Sequence, residues 1–369
     1  MNQTACDSIG SMALIGLNTL FLVPNQVGGT EYLTRAFIDA LQKDTTHQYV
    51  LFCNRENADT FQVDPTRMKK VVCPVSASNR IARIVYEQCI FTFVIQKERC
   101  DLLHSFGYTA PFFASCPQIT TVHDTNWLDH PEDFSLLSRF MTNVLVRGAI
   151  KKSVKVITDS AFSKSRLLFH FPDHVRKVEI VLPIIDTKLY KPPFVVVPKE
   201  LSGKKYFLCV SALYPHKKIP YLLKLWEVIE RQDTKIPLVL VGRNGRDEEG
   251  VTAKLKSLQS VVYFPKVSFE MLGSLYHHAS GFIHPSVYEG FGYPVYEAYG
   301  ASLPILVGKK NMYEQSIQAN LEELTFDSKK DSTMVKRILE RTKTKKPNQL
   351  WSDRDSLQNL FTVYAKALQ

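Results

Sequence analysis

The sequence predicts an α/β protein made of two doubly wound domains with a cleft between them. Apolar runs of strand length alternate with helix-length amphipathic segments along most of the 369 residues. The strand-like runs are apolar almost throughout, which is typical of parallel sheets covered on both faces. A segment with three prolines, from Thr187 to Lys205, interrupts the alternation. We therefore place a domain boundary there.

This boundary divides the chain into three parts. Residues 1–190 form a first Rossmann-like domain, residues 200–350 form a second, and residues 351–369 form a helix that we expect to pack back on the first domain. The length and the 45% apolar content are sufficient for two domains of ordinary size.

The first half begins with a strand, a glycine-containing loop and a helix. Apolar residues recur at helical spacing within residues 31–43, at Leu33, Ala36, Phe37, Ala40 and Leu41. The predicted strands of this half are MALIGL (12–17), QYVLFC (48–53), KVVCPV (70–75), QITTVHD (118–124), VKVITDS (154–160) and KVEIVLP (177–183).

The second half repeats the same alternation. Its predicted strands are YFLCVSAL (206–213), IPLVLVG (236–242), SVVYFP (260–265) and GFIHPS (281–286). Polar residues follow several strands in both halves, among them His123 with Asp124 and Asp159 with Ser160. Ligands of doubly wound sheets bind beyond the carboxyl ends of the strands, so these groups should converge on the cleft.

The net charge of +10 indicates an anionic partner. Phosphorylated substrates, nucleic acid and an anionic membrane surface are the candidates, and the sequence contains no recognisable nucleic-acid-binding motif. Basic residues cluster in Arg147–Lys155 and in Lys336–Lys346. The first cluster predicts either a helix face that lies on lipid or a solvated face, and the second predicts a solvated face.

The seven cysteines are widely spaced and contain no Cys-x-x-Cys pair. We expect buried free thiols in a reducing compartment rather than a zinc site or disulfides. The N-terminal segment fits neither a signal peptide nor a membrane-spanning helix. We therefore expect a cytoplasmic protein, with the inner face of the membrane as its location if the first basic cluster binds lipid.

Two glutamates eight positions apart surround a glycine-rich turn in the second half. Gly290 and Gly292 allow backbone amides to converge on a ligand, and Pro294 suits the start of a helix. Glu289 falls in the loop, and we expect Glu297 in the first helical turn, near a phosphate site made by the helix start. A sugar nucleotide needs both acceptors and amide donors. An ordinary strand-to-helix turn has the same composition, and these residues alone leave both interpretations open.

The stretch PSVYEGFGYPVYEA, from Pro285 to Ala298, resembles the E-x7-E signature of the family 4 retaining glycosyltransferases. These enzymes have the GT-B fold, in which two Rossmann-like domains face one another. The resemblance continues through DLLHSFGYTAP, TVHDTNW and LYPHKK, and it spans nearly the whole chain. The LYPHK and GFGYP segments are similar to those of bacterial mannosyltransferases of surface polysaccharide assembly.

The resemblance implies a role for each matching residue. Glu297 holds the ribose hydroxyls, Glu289 faces the donor sugar, and both stay ionised. Lys217 stabilises the leaving diphosphate, and His123 contacts the donor sugar in the reaction centre. Backbone amides cradle the diphosphate or the adjacent sugar, at Gly28, Gly29, Gly290, Phe291 and Gly292.

One position departs from the family pattern. Many members carry an arginine five residues before the phosphate lysine, where this chain has Ala212. Lys218, Arg243 or Arg246 could supply the missing cation, and we rank Lys218 first because it adjoins Lys217. Pro265 stands where members often have glycine near the nucleotide base, which leaves the base open.

The resemblance implies transfer of a hexose, with mannose from GDP-mannose as our first choice, to a hydroxyl of a glycan or a lipid-linked saccharide. The first domain would bind the acceptor and the second the nucleotide sugar. The reaction would retain the anomeric configuration and need neither a metal nor a cofactor.

The alternatives are a UDP-sugar donor and a non-catalytic protein that binds a nucleotide sugar. Two carboxylates also suit a hydrolase, but the predicted doubly wound domains disfavour it. A dehydrogenase is disfavoured because Gly-x-Gly-x-x-Gly is absent from the first loop.

Overall fold

The computed structural model describes residues 12–26, 28–186, 189, 193–195, 197–232, 236–243, 251–340 and 348–369. Cys6, Arg246, part of the predicted domain boundary and most of the second basic cluster lie outside these residues.

The described residues form two parallel sheets, of which the first contains seven strands. In chain order they are β1 (Leu14–Asn18), β2 (Gln48–Cys53), β3 (Met68–Val72), β4 (Leu102–Ser105), β5 (Gln118–Thr121), β6 (Lys155–Thr158) and β7 (Val178–Ile180). Their spatial order is β3-β2-β1-β4-β5-β6-β7. The order reverses between β1 and β4, so a crevice opens there at the carboxyl edge of the sheet.

The second sheet contains six strands. They are β8 (Phe207–Val210), β9 (Leu238–Val241), β10 (Val261–Phe264), β11 (Gly281–His284), β12 (Ile305–Val307) and β13 (Leu321–Glu323). Their order is β10-β9-β8-β11-β12-β13, with the reversal between β8 and β11. The predicted fold class of two doubly wound parallel sheets is therefore confirmed.

Helices connect the strands in both halves. The helices of the first half are α1 (Gly29–Leu41), α2 (Arg80–Cys89), α3 (Phe91–Glu98), α4 (Asn126–Asp129), α5 (Leu136–Lys152) and α6 (Ala161–His170). Those that follow are α7 (Ile219–Arg231), α8 (Val251–Ser257), α9 (Phe269–His278), α10 (Tyr293–Gly300), α11 (Gln315–Gln318), α12 (Ser328–Glu340) and α13 (Asp353–Leu368). Among the helices described here, none is both long and apolar enough to cross a membrane.

The central strands are buried on both faces, as their continuous apolar runs predicted. All residues of β4, β5, β9 and β11 are buried, whereas β3 and β13 at the sheet edges are partly exposed. Strands β4, β12 and β13 were not predicted from the sequence. Each of these strands has only three or four residues, too few to show a period.

The last helix, α13, lies against the first half of the chain. It contacts α1 and β4, and Tyr364 Oη forms a 2.8 Å hydrogen bond with His104 Nδ1. Just before α13, Trp351 Nε1 donates to the backbone oxygen of Pro183 at 2.8 Å. These buried polar contacts fix the C-terminal helix across the segment that joins the two sheets.

The cysteines match their prediction only in part. Cys53, Cys73, Cys100 and Cys209 are buried free thiols, but Cys89 is exposed and Cys116 is partly exposed. Burial raises the pKa of the Cys73 thiol to about 11, so this group stays protonated at neutral pH.

Gly308 fixes the loop that leaves β11, and its replacement tests this packing. A Cβ atom at Gly308 would lie 2.1 Å from the backbone oxygen of Ser286 and 2.5 Å from that of Pro285. Backbone atoms at a strand end cannot move aside cheaply. We expect Gly308→Ala to lower the free energy of unfolding by about 3 kcal/mol, measured by urea denaturation.

Gly203→Ala is the matched control. Gly203 has φ +72°, and no atom lies within 4 Å of the added Cβ, so only backbone strain of about 1 kcal/mol is expected. Equal losses in the two variants would show that the Gly308 contact does not constrain the loop.

Candidate active site

A buried carboxylate, Glu289, lies in the loop between β11 and α10. Its Oε1 atom accepts two hydrogen bonds of 2.6 Å, one from Lys217 Nζ and one from His284 Nε2. Burial by itself raises the pKa of Glu289, but Lys217 and His284 outweigh it, so the pKa lies well below its usual range. Glu289 is therefore an anion at neutral pH, held in place through one of its two oxygens.

Lys217 reaches this carboxylate from the end of β8, the neighbour of β11 in the sheet. It ends a short 3₁₀ turn, Pro215–Lys217, before α7 begins. The backbone oxygen of His216 accepts from Val287 N at 3.0 Å, which holds this turn beside the Glu289 loop. The structure thus brings together two residues 72 positions apart, both predicted to act in the reaction.

Glu297 lies deeper in α10 than predicted. The helix starts at Tyr293, so Glu297 is its fifth residue and belongs to the second turn. Its Oε2 accepts from the hydroxyl of Tyr276 at 2.8 Å, yet burial dominates and raises the pKa to about 7. The expectation that both glutamates stay ionised therefore fits Glu289 but not Glu297, which is about half protonated at neutral pH.

Two helix starts approach each other beside these acids. Gly28 precedes α1 with φ 64°, Gly292 precedes α10 with φ 83°, and neither start has a capping side-chain hydrogen bond. A Cβ atom at Gly29 would lie 3.5 Å from the Tyr293 ring, and one at Gly292 would lie 3.4 Å from Cγ of Glu289. The positive dipole end of α10 therefore lies next to Glu289, and that of α1 lies next to the Tyr293 ring at the start of α10.

Gly290 packs directly on the first half of the chain. Its backbone oxygen accepts hydrogen bonds from the hydroxyls of Ser160 (2.5 Å) and Ser163 (2.8 Å). A Cβ atom at Gly290 would lie 2.8 Å from the backbone oxygen of His123. Only glycine allows this approach, which places the Glu289 loop against the carboxyl ends of β5 and β6. Phe291 is buried and stacks on Tyr296 at 4.3 Å between ring centroids.

His123 is buried with both ring nitrogens engaged. Nδ1 donates to Asp159 Oδ2 and Nε2 donates to the backbone oxygen of Phe106, each at 2.7 Å. Burial lowers the pKa of His123, but the Asp159 carboxylate and these hydrogen bonds outweigh it, so the pKa is raised. The imidazole is thus held on both sides, and its predicted contact with a sugar would have to share or replace one of these hydrogen bonds.

The cations proposed to replace the missing arginine occupy different places. Lys218 is exposed, and its ammonium lies near Glu132, where it adds to the effect of the His130 hydrogen bond in lowering the pKa of Glu132. Arg243 donates at 2.8 Å to the backbone oxygen of Asn25 and at 3.0 Å to that of Gln26.

Arg243 is the better placed of the two. Its Nη2 would lie 4.0 Å from a Cβ at Gly28, and its backbone oxygen accepts from Leu213 N, next to Ala212. This placement favours Arg243, whereas the sequence ranked Lys218 first because it adjoins Lys217 along the chain.

Four buried polar atoms around the site have no hydrogen-bond partner among the described residues. They are Asp159 Oδ1, His284 Nδ1, and the hydroxyls of Tyr293 and Tyr313. A Cβ at Gly292 would lie 2.8 Å from the Tyr313 ring, so this tyrosine borders the start of α10. Leaving such groups unpaired costs about 1–3 kcal/mol each. A ligand rich in hydroxyls would offer them both donors and acceptors.

Some residues of the site were missed by the sequence analysis. His284 and Tyr276 hold the two glutamates, and Asp159 holds His123, although the sequence singled out only Asp159, as a polar residue at a strand end. His284 ends the apolar strand β11, and a polar residue at that position is the one local signal. Within the described residues, no group of three or more His, Cys, Asp or Glu side chains could hold a metal ion.

Family models match both halves of the chain. The model described as Glycosyltransferase Family 4 matches residues 27–189, and the model described as Glycosyl transferases group 1 matches residues 195–354. Together they cover every strand from β2 to β13 and include Lys217, Glu289 and Glu297 of the candidate site.

Two relatives carry related names. O-antigen chain mannosyltransferase RfbU of Salmonella typhimurium is 24% identical over 266 residues, which cover 70% of this chain and 72% of the relative. O-antigen chain mannosyltransferase B of Escherichia coli is 27% identical over 202 residues, 51% of this chain and 52% of the relative. The second match thus spans about half of that protein.

The structure is also similar to a solved glycosyltransferase. The crystal structure of WaaG, a glycosyltransferase involved in lipopolysaccharide biosynthesis, aligns with a TM-score of 0.63 at 14% identity. The alignment covers 96% of this chain and 95% of WaaG. At this identity the similarity shows the shared GT-B fold alone.

Replacing Glu297 by glutamine tests whether the pKa of this carboxyl is raised in the folded protein. The unfolded carboxyl titrates near 4.5 and the folded one at about 7. The folded protein therefore binds more protons between these values, and wild-type stability should fall by about 3 kcal/mol across this window as pH rises. Glutamine resembles the protonated acid and cannot ionise, so Glu297→Gln should lack this decrease.

The measurement is urea denaturation of both proteins at about pH 4.5 and about pH 8. Glu340→Gln, which removes an exposed carboxyl, should follow the wild-type pH dependence. The same pH dependence in Glu297→Gln and the wild type would contradict a raised pKa at Glu297.

Proposed function

The chain belongs to the glycosyltransferases defined by these two family models, and from that premise we propose that it transfers a hexose from a nucleotide sugar to a hydroxyl of a glycan or lipid-linked saccharide. Mannose from GDP-mannose is the donor that we propose. The observation that carries the proposal is the Lys217–Glu289 ion pair, buried beside two uncapped helix starts and surrounded by unpaired polar atoms.

Mannose is favoured over other hexoses by the relatives. RfbU and mannosyltransferase B are both named as O-antigen chain mannosyltransferases. The same names support a growing polysaccharide chain as the acceptor. The alternative donor is a UDP-sugar, since no residue described here identifies the nucleotide base.

Lys217 and the helix starts would stabilise the leaving diphosphate. The Lys217 ammonium uses one of its three N–H groups on Glu289, which leaves two for phosphate oxygens. The amides at the starts of α1 and α10 add donors on the same side. As the bond between the anomeric carbon and the phosphate oxygen breaks, negative charge grows on that oxygen, and these groups are positioned to bind it.

Glu289 would orient the donor sugar. Its Oε1 is held by Lys217 and His284, while Oε2 remains able to accept from a sugar hydroxyl. In a reaction with retention, the acceptor oxygen bonds to the anomeric carbon on the face that the phosphate leaves. The acceptor proton then passes to the leaving phosphate oxygen, and no metal is needed in the step that we propose.

Arg243 would provide the second cation for the diphosphate. Its guanidinium bridges the carbonyls of Asn25 and Gln26, just before the glycine pair at α1. It therefore ties the first glycine loop to the second half of the chain, and it brings charge to the side of the site that Ala212 leaves neutral.

Substitution of the two paired residues tests the assignment. Lys217→Met and Glu289→Gln remove the charges but keep most of the side-chain volume, and we expect each to lower kcat by about 10²–10³ with GDP-mannose and a lipid-linked acceptor. Lys218→Met is the matched control because the lysine is adjacent and exposed, and it should keep most of the activity. Full activity of both Lys217→Met and Glu289→Gln would contradict the proposed roles.

Thermal stabilisation distinguishes the donor classes. A ligand at a hundred times its dissociation constant adds about 2.7 kcal/mol to the free energy of unfolding. We expect GDP-mannose to raise the Tm more than UDP-glucose, UDP-GlcNAc or NADH at equal concentration, and the Arg243→Met variant to respond less. If a UDP-sugar raised the Tm more than GDP-mannose, the donor would be a UDP-sugar. If GDP-mannose raised the Tm but no sugar were transferred, the chain would be a non-catalytic protein that binds a nucleotide sugar.

A further inference from the structure

The first half of the chain exposes a group of large apolar side chains on two neighbouring helices, which we name the α2–α5 face. Its members are Ile81 and Val85 of α2, and Leu136, Leu137, Phe140 and Val144 of α5. Leu136 is 85% exposed and Ile81 is 76% exposed, so neither side chain packs on the protein. Single exposed apolar residues are ordinary, but a cluster of six marks a binding surface.

Helical geometry places the α5 members on one stripe. Phe140, Val144, Arg147 and Lys151 follow one another at intervals of four, three and four residues, and all four are exposed. The opposite side of α5 is buried through Leu145, Val146, Ala149 and Ile150. The solvent side of α5 is thus apolar in its first turns and cationic in its last turns.

Arg80 joins the two helices into one surface. Its Nη1 donates to Ser138 Oγ at 3.1 Å and its Nη2 donates to Thr142 Oγ1 at 3.0 Å. Because Arg80 is the first residue of α2, these bonds hold the Ile81 turn beside the first turns of α5. The apolar residues of the two helices are therefore neighbours in space.

The surroundings of the face are positively charged. Helix α5 contains no Asp or Glu, and the one acidic residue of α2, Glu87, is buried against Arg83. The cations that these helices present to solvent are Arg80, Arg139, Arg147, Lys151 and Lys152, whereas Arg83 is buried. Phe113, which is 71% exposed, extends the apolar area beneath Lys152, whose Nζ lies 5.3 Å from the ring centroid.

We propose that the α2–α5 face docks on an anionic lipid bilayer, with the apolar side chains inserted at the level of the headgroups and the cations on lipid phosphates. Helices of this composition lie in the membrane plane, where apolar burial and attraction to anionic lipid add together. A protein partner fits less well, because the cores of protein interfaces are depleted in lysine and a protein would need carboxylates placed opposite these cations. An anionic bilayer has the same charge everywhere along its surface and needs no such matching.

The face is connected to the candidate active site through α2. Arg83 Nη1 contacts Glu87 and the hydroxyl of Thr109, each at 3.3 Å. The neighbouring residue Tyr108 lies 5.0 Å from His123, measured between ring centroids. Docking would therefore bring the site within reach of a saccharide anchored in the same membrane. This last point rests on the proposed function, whereas the docking itself does not.

Vesicle sedimentation tests the docking with the full chain. We expect the wild type to bind phosphatidylcholine vesicles that contain about half phosphatidylglycerol, and to bind pure phosphatidylcholine at least tenfold more weakly. Raising the salt from about 0.1 M to about 0.5 M should weaken binding, since it screens the cations. Each basic residue near the surface is worth roughly a fivefold change in partitioning.

Two double variants separate the apolar and cationic contributions. Leu137→Asp/Phe140→Asp and Arg147→Glu/Lys151→Glu should each lower partitioning at least tenfold. Their controls lie in the second half of the chain. The control for Leu137→Asp/Phe140→Asp is Phe269→Asp, at an exposed aromatic residue. The control for Arg147→Glu/Lys151→Glu is Arg231→Glu/Lys330→Glu, which makes the same change in net charge at exposed residues. Both controls should bind vesicles as the wild type does. Every substituted side chain is exposed, and unchanged thermal melting would show that the variants fold.

Wild-type protein that does not bind the anionic vesicles would overturn the proposal. So would double variants that bind as tightly as the wild type. If Leu137→Asp/Phe140→Asp instead converted a dimer to a monomer in sedimentation velocity and left vesicle binding unchanged, the face would be a contact between two copies of the chain. Donor binding by Leu137→Asp/Phe140→Asp should remain at the wild-type level, so a failure here is distinct from a failure of the proposed transfer.

Discussion

The buried carboxylate of Glu289 sets the main constraint on this protein. A buried anion is tolerated only when it is paired and hydrogen-bonded, and Lys217 and His284 together meet this requirement. These partners come from the ends of β8 and β11, which are adjacent only because the strand order reverses between them. The doubly wound topology thus creates the ion pair, and the ion pair holds together the loops that would receive the diphosphate.

The second carboxylate shows how environment separates two chemically similar groups. Glu289 faces two cationic or donating side chains and stays ionised, whereas Glu297 lies eight residues later among buried groups and its pKa is raised to about 7. A protonated carboxyl donates as well as accepts, so Glu297 offers a hydrogen bond that Glu289 cannot. The spacing arises because both glutamates lie in one strand-to-helix connection. Both carboxyls are buried, so their pKa values differ because Glu289 has Lys217 and His284 as partners and Glu297 does not.

Much of the fold and part of the site could be predicted from the sequence. Continuous apolar runs predict buried parallel strands, and the meeting of strand ends at one edge predicts that Lys217, Glu289 and His123 lie near a common cleft. The rest depends on long-range packing. Glu297 shows no sign of its burial in its local sequence, and His284 is an isolated histidine at a strand end. Arg243 comes close to Gly28 because two loops from opposite halves of the chain meet, which sequence adjacency cannot show.

A crystal structure with a hydrolysis-resistant donor analogue tests the central claim most directly. We expect the diphosphate to lie within hydrogen-bonding distance of Lys217 Nζ and of the amides that begin α10, with a sugar hydroxyl donating to Glu289. A diphosphate bound elsewhere, with the Lys217–Glu289 pair unchanged and remote from it, would contradict the account.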